Sequence, residues 1–154
     1  MKVTKTVTGT EPVTLAEAKE YLRVFHDAED NTIQLIIKDA RKTIEQATGL
    51  SLVEQSITIK TDIDGVFTLP YGPVDEVILA TIDGVDVDVE MGKVEGKGLL
   101  EVEYTSGPYE SGLVVRELTA FLYENRGNAG LGYRVFPDMV DLFIRNNTNN
   151  LWLR

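Results

Sequence analysis

Histidine and cysteine, which often act as catalysts or metal ligands, are nearly absent from this 154-residue sequence. The chain has one histidine, His26, and no cysteine, which excludes disulfides, thiolate nucleophiles and Cys-ligated metals. A Ser-His-Asp triad could use only His26, and no serine lies in the pattern of a nucleophile elbow. His26 lies in a polar segment between two predicted helices, so we interpret it as a solvated side chain.

The glycines from Gly92 to Gly98 could suggest a phosphate-binding loop. The Walker spacing requires Ser or Thr directly after its lysine, but Gly98 follows Lys97. Gly92 also lies only four residues before Gly96, which is too close for that spacing. We therefore interpret this segment as a loop between strands.

Acidic residues are the remaining candidates for chemistry. Asp62 and Asp64 precede Gly65 as at the start of a calcium loop, but the helical flanks and distal glutamate of an EF-hand are absent. We interpret them as turn residues. Paired carboxylates between residues 85 and 103 could serve acid–base catalysis or bind a divalent ion, yet alternating acids on strands usually form a solvated face. We expect no enzyme activity, no catalytic or metal-binding residue and no cofactor.

The net charge of −10 is concentrated in one segment. Residues 75–103 contain nine acids and two lysines. This balance argues against binding DNA by phosphate neutralisation, which requires clustered Lys and Arg. No segment approaches the roughly 18 apolar residues of a membrane span, and the chain starts without the apolar run of a secretory signal. We expect a soluble protein with no membrane partner.

Helical periodicity and capping signals predict four helices, at about residues 14–24, 31–48, 111–125 and 137–146. The first opens with a capping box at Thr14 and Glu17. The second has an apolar stripe that includes Ile37 and Ile44. Gly49 follows this stripe, where a left-handed C-terminal cap is expected.

From about residue 52 to 105 the periodicity changes to two, which predicts an antiparallel sheet. Asp64-Gly65 and Asp83-Gly84 are typical of turns. We expect residues 85–91 to pair with residues 99–105 as a hairpin. Its inward side chains would be Val85, Val87, Val89, Leu100, Val102 and Tyr104. Its outward side chains would be Asp86, Asp88, Glu90, Glu101 and Glu103, an acidic face in which like charges oppose each other.

These elements predict a single α+β domain over residues 1–154, in which a small bundle of three to four helices carries an inserted antiparallel β-sheet. Residues 1–10 would be a flexible arm. Residues 11–125 would be the folded core, with the β insertion at about 52–105. Residues 126–154 would hold a Gly-rich segment, a short helix and a C-terminal arm.

The C-terminal arm is a candidate for partner binding. Leu151, Trp152 and Leu153 follow a polar spacer, and a large aromatic at a free end can anchor in a partner's pocket. An equal alternative is that Trp152 folds back on its own domain.

Several motifs occur in a specific order in the first half of the chain. Residues 11–19 read EPVTLAEAK, followed by YLRV at 21–24, an acidic break and a helix ending in Thr-Gly. An extended VEQSITI segment and FTLPYGPV at 67–74 come next. This order resembles the tailed-phage head–tail connector family, adaptor proteins also described as DNA-packaging or head-completion proteins. The resemblance covers about residues 11–74.

The resemblance implies a structural virion protein whose copies form a homo-oligomeric ring beneath the portal protein. Such a ring extends the DNA channel and receives a downstream stopper or tail protein, without catalytic residues or a cofactor. It also implies a location at the head–tail junction of the virion, after assembly in the cytoplasm of a bacterial host. Double-stranded DNA would be non-specific cargo, and an acidic channel wall would repel its phosphates.

Two other classes of function remain open. A tail-completion or stopper protein would also be a non-enzymatic virion component, but it would need no ring of its own. A small α+β ligand-binding or enzymatic domain is the more distant alternative, and an apolar pocket with converging polar groups would favour it.

The acidic region at 83–103 and the Gly-rich stretch at 127–134 depart from the pattern of the head–tail connector family.

Overall fold

A computed structural model describes residues 1–127 and 136–148. The helices are α1 (Leu15–Leu22), α2 (Asp30–Thr48), α3 (Gly112–Glu124) and α4 (Asp138–Thr148). The strands are β1 (Lys2–Val7), β2 (Gln55–Thr68), β3 (Val74–Ile82), β4 (Val85–Asp86) and β5 (Lys93–Ser106). The predicted α+β class is confirmed.

The chain divides into two compact units. The sheet unit comprises Met1–Thr10 and Gly49–Tyr109 and contains all five strands. The helical unit comprises Glu11–Thr48 and the described part of Glu110–Asn150, and it contains the four helices.

The five strands form one antiparallel sheet in the order β1-β2-β5-β3-β4. The long strands β2 and β5 pair along their whole length at its centre. Strand side chains alternate between the two faces, so every second residue of these strands lies on the same face. One face is the core of the unit, where the largest buried side chains include Ile57, Ile59, Leu100, Val102 and Tyr104.

The residues expected to form a flexible N-terminal arm are strand β1. Val3 lies opposite Ile59 and packs on the sheet core. Beyond the strand, the backbone N–H groups of Thr8 and Gly9 donate hydrogen bonds to the carbonyl oxygen of Glu54 at 2.9 and 3.1 Å. The sheet therefore contains a strand that precedes the first helix, so the description of the sheet as an insertion within a helical bundle is not confirmed.

Two glycine-containing segments predicted as a turn and a loop lie within strands instead. Asp64 and Gly65 are part of β2, where they pair with Lys97 and Gly96 of β5. Gly98 also lies in β5, and of the three glycines from 92 to 98 only Gly92 precedes the strand. The continuous pairing of two long strands outweighs the local turn preference of Asp-Gly, because sheet formation depends on cross-strand neighbours more than on intrinsic preference.

The Asp83-Gly84 turn is confirmed, and it joins β3 to β4 with both residues at positive φ. The predicted pairing of residues 85–91 with residues 99–105 is wrong. β3 lies between β4 and β5 in the sheet. The reason is the shortness of the turn, because a two-residue turn returns the chain to the strand that precedes it.

The helical unit begins with the predicted capping box. The Thr14 hydroxyl accepts a hydrogen bond from the Glu17 N–H at 3.2 Å, and the Glu17 carboxylate accepts one from the Thr14 N–H at 2.8 Å. The backbone hydrogen bond and then the side-chain hydrogen bond of Thr14 lower the pKa of Glu17. The box satisfies amides that the first turn of α1 would otherwise leave unpaired.

Helix α2 packs against the other three helices and carries the predicted apolar stripe. Ile37 and Ile44 are buried, as are Val115 and Leu118 of α3. Gly49 has a φ of +72°, which confirms the predicted left-handed cap at the end of α2. The positions predicted for α3 and α4 agree with the structure to within one or two residues. No helix among the described residues is long and apolar enough to cross a membrane.

Candidate assembly surface

The face of the sheet opposite its core carries the candidate site, and we call it the outer face. Along β5, Leu100, Val102 and Tyr104 are buried, and burial raises the pKa of the Tyr104 hydroxyl. The alternate residues Glu101 and Glu103 therefore point to the outer face, where they are half-buried.

One cross-strand row of the outer face runs through all five strands. In strand order it contains Lys2, Lys60, Glu101, Thr81 and Asp86. Side chains directly opposite each other in antiparallel strands lie on the same face, so the five share the outer face. The row is positive on β1 and β2 and negative on β5 and β4.

The five acids predicted to form one face are placed differently from the prediction. Asp86, Glu101 and Glu103 share the outer face, but β3 separates Asp86 from the other two. Asp88 and Glu90 are exposed and follow β4. Four of the five have a partner in the described strand pairs, and each of those partners is a Thr, Leu or Lys residue, not another acid. The expected like-charge repulsion is therefore not present there.

Five of the six apolar residues expected to turn inward do so. Leu100, Val102 and Tyr104 are buried, and Val87 and Val89 pack against the sheet core. The sixth, Val85, is 66% exposed. It lies on β4, which is the last strand of the described sheet, so the sheet has no further strand to cover it.

Ion pairs on β2 and β5 are exposed. Lys60 Nζ lies 2.7 Å from Oε1 of Glu101, and Lys97 Nζ lies 2.8 Å from Oδ2 of Asp64. Exposed pairs of this kind contribute about 0–1 kcal/mol to the free energy of folding. They therefore fix the positions of surface charges but add little to the stability of the fold. Asp64, predicted as a turn residue, is a strand residue paired with a lysine.

An open groove of about 730 Å³ lies beside β4. It is lined by Val66, Asp86, Val87, Asp88, Glu90, Met91, Lys93 and Glu95. Val66 and Met91 are 62% and 90% exposed, so the groove combines carboxylates with exposed apolar side chains. No group of acidic or histidine side chains in the described residues is arranged to hold a metal ion. The groove has the chemistry to bind a surface that presents both basic and apolar side chains.

A second charged cluster lies in the helical unit around Arg41. Its Nε donates a hydrogen bond to Glu11 at 2.8 Å and its Nη1 donates one to Glu45 at 2.7 Å, with the Arg41 side chain 5% exposed. Burial acts to lower the pKa of Arg41, but the hydrogen bonds and charges of the two glutamates outweigh it and raise the pKa. A guanidinium saturated in this way supports the fold and is not available for chemistry.

The loop between α1 and α2 is held by Lys19, whose Nζ lies 2.7 Å from carboxylate oxygens of both Asp27 and Asp30. Hydrogen bonds to Asp27 and then Asp30 raise the pKa of Lys19. In the same loop the His26 side chain is 59% exposed, and its Nε2 lies 3.7 Å from Glu29. The interpretation of His26 as a solvated side chain is confirmed.

Sequence reasoning missed the basic end of the outer face. Lys2 and Lys60 lie in segments whose alternation of Lys and Thr with Val or Ile is typical of strands. That signal could have placed the N-terminal residues in the sheet. The predicted partner-binding residues Leu151, Trp152 and Leu153 lie outside the described residues.

Residues 12–84 match the family described as Phage gp6-like head-tail connector protein. The resemblance to head–tail connectors is confirmed. The connector match begins just before α1, runs through α2 and ends at the β3–β4 turn, covering slightly less than half of the chain. No curated protein matches the chain in sequence.

Solved structures share this fold over nearly the whole chain. A chain from the virion of a native gene transfer agent (GTA) particle has a TM-score of 0.69 and 21% identity, covering 96% of this chain and 95% of that one. A chain from the neck of the empty GTA particle, computed with C6 symmetry, has a TM-score of 0.68 and 22% identity, covering 95% and 94%.

A third chain, from the neck of the native GTA particle computed with C12 symmetry, has a TM-score of 0.67 and 20% identity, covering 95% and 94%. At 20–22% sequence identity, these three comparisons show a shared fold. It includes the acidic sheet region after residue 84, which the connector-family match does not reach.

Proposed function

We propose that the chain is a structural head–tail connector subunit that assembles into a homo-oligomeric ring beneath the portal protein and extends the DNA channel towards the tail. The observation that carries this proposal is the connector-family match at residues 12–84 together with the fold shared with chains of GTA virion and neck structures over 94–96% of both lengths. In this account the protein is a component of the virion at the head–tail junction, assembled in the host cytoplasm, and has no enzymatic role.

The ring is supported by the symmetry of the GTA neck structures, which were computed with C6 and C12 symmetry. Cyclic symmetry repeats one subunit around an axis, and a head-to-tail contact between copies closes into a ring. The partners above and below this ring would be the portal protein and a downstream stopper or tail protein.

The acidic residues of the sheet unit suit a surface that double-stranded DNA passes without binding. We propose that Asp86, Asp88, Glu90, Glu101 and Glu103 line the channel or its rim. Carboxylates repel DNA phosphates, so a wall that carries them does not retain the genome in transit. Glu103 lies opposite Thr58 and Leu79, so no lysine opposes it in the sheet and its charge can act on DNA.

The C-terminal arm would hold the ring to a partner. We propose that Leu151, Trp152 and Leu153 bind a pocket of a neighbouring virion protein. Trp152→Ala should lower co-sedimentation with the portal ring while leaving the melting temperature unchanged. A melting temperature that falls with Trp152→Ala would instead place the side chain against its own domain.

Light scattering combined with negative-stain imaging tests the ring directly. We expect the full chain to form particles with a central hole, whose mass alone, or mass added to the portal ring, is a multiple of 17.1 kDa. A chain that remains a monomer in both conditions but caps an already formed connector would be a stopper, and that result would overturn the ring proposal.

A further inference from the structure

The two edges of the sheet have opposite charge. The β1 edge belongs to residues 1–10, which contain two lysines and no acid. The β4 edge belongs to residues 83–92, which contain four acids and no basic residue. β1 and β4 are the two outermost strands of the described sheet, so each has one side without a neighbouring strand.

The cross-strand row described above connects these two edges along the outer face of the sheet. It begins with Lys2 on β1 and ends with Asp86 on β4, and both residues are exposed. Lys5 has a different position, because it lies opposite buried Ile57 and its Nζ is 3.2 Å from the centroid of the Tyr71 ring. Lys2 is therefore the lysine of β1 that faces the same side as Asp86.

The groove beside β4 adds a second complementary feature. Its four acids outnumber its one lysine, Lys93, and stand beside exposed Val66 and Met91; the acids are Asp86, Asp88, Glu90 and Glu95. The β1 segment presents exposed Met1 directly before Lys2. The groove thus matches the β1 edge in apolar character as well as in charge.

We propose that the β1 edge of one copy of this chain docks on the β4 edge and groove of a second copy, with Lys2 of the first next to Asp86 of the second. Lysines on an edge strand normally discourage strand pairing. An acidic partner edge attracts these lysines instead of repelling them. The opposite charges also make the contact selective for one orientation of the two copies. Because the two edges differ, the contact between copies is head-to-tail. That such contacts close into a ring rests on the proposed function.

Charge reversal at the two residues tests the contact. Lys2→Glu and Asp86→Lys should each raise the concentration needed for self-assembly by about tenfold or more, since like charges then meet at every contact. The double variant Lys2→Glu/Asp86→Lys restores opposite charges and should assemble within about threefold of the wild type. Lys2→Glu places an acid opposite Lys60 of the same sheet, so folding should not suffer.

A matched control comes from the pair Asp64 and Lys97, which lies on the two central strands and is 75% and 79% exposed. Asp64→Lys/Lys97→Glu should assemble like the wild type.

Assembly is measured by analytical ultracentrifugation with and without the portal ring, and melting temperatures check that each variant folds. Single variants that assemble normally while wild-type rings form would overturn the edge contact and leave the ring proposal intact. A wild-type chain that never assembles would overturn both.

Discussion

Nε of Arg41, in the middle of α2, lies 2.8 Å from Oε2 of Glu11, which precedes α1. This contact ties the start of the helical unit to its central helix. Glu45, one turn later on α2, accepts a second hydrogen bond from the same guanidinium. The three side chains are mostly withdrawn from water, so each depends on the others for charge compensation.

Removing the cation from this cluster should destabilise the helical unit. Arg41→Met removes the guanidinium that pairs with Glu11 and Glu45, and we expect a loss of about 3 kcal/mol in the free energy of unfolding. Lys42→Met is the matched control, because Lys42 is the exposed neighbour on the same helix. Chemical denaturation measures both variants, and equal losses would show that the cluster contributes no specific stability.

The apolar stripe of α2 should be equally sensitive to truncation. Ile37→Ala and Ile44→Ala remove side chains that are 2% and 0% exposed, and each should cost about 2–5 kcal/mol. Leu35→Ala, on the same helix but 61% exposed, should change stability by less than about 0.5 kcal/mol. If thermal unfolding gives the same melting temperature for all three variants, the stripe is not part of the core.

The cap of α2 should tolerate only glycine. Gly49 has a φ of +72°, and a Cβ there would lie 3.3 Å from the carbonyl oxygen of Pro70. Gly49→Val should cost about 1–2 kcal/mol or more, since left-handed backbone is strained for a residue with a Cβ. Lys42→Val, an exposed helical substitution, should cost less than 1 kcal/mol by roughly the helix propensity difference. A smaller loss at position 49 than at position 42 would contradict the role of this cap.

Neutralising the acidic face should affect DNA and not assembly. Glu101→Gln/Glu103→Gln changes residues of β5 that lie outside the β4 edge and its groove, so the proposed contact stays in place and rings should form normally. Genome ejection should be slower, or purified rings should retain more DNA, because fewer charges repel the phosphates. The control Glu20→Gln/Asp39→Asn changes the net charge equally on exposed helical residues. Ejection at wild-type rates in the acidic-face variant would remove these residues from the channel wall.

Local signals in the sequence predicted much of the helical unit. The capping box of Thr14 and Glu17, the stripe containing Ile37 and the glycine at position 49 each act within a few residues, so their chemistry can be interpreted from the sequence alone. The Asp83-Gly84 turn is another local signal, and it too is confirmed.

The arrangement of the sheet could not be predicted in the same way. Whether β4 pairs with β3 or with β5 depends on contacts between distant segments, which the acidic alternation of residues 85–103 does not encode. The same limit applies to Gly65, whose turn preference is overridden by a strand partner about 30 residues later at Gly96. It applies also to Lys2, whose role in a charged row depends on strands β2 to β5.

We propose that this chain is a ring-forming connector subunit, and co-sedimentation of the full chain with its cognate portal ring tests this proposal most directly. We expect the chain to sediment with the portal ring at a fixed, saturable stoichiometry, and images of the pelleted complex to display an added ring beneath the portal. A chain that stays in the supernatant while the portal ring pellets, at every concentration tried, would contradict it.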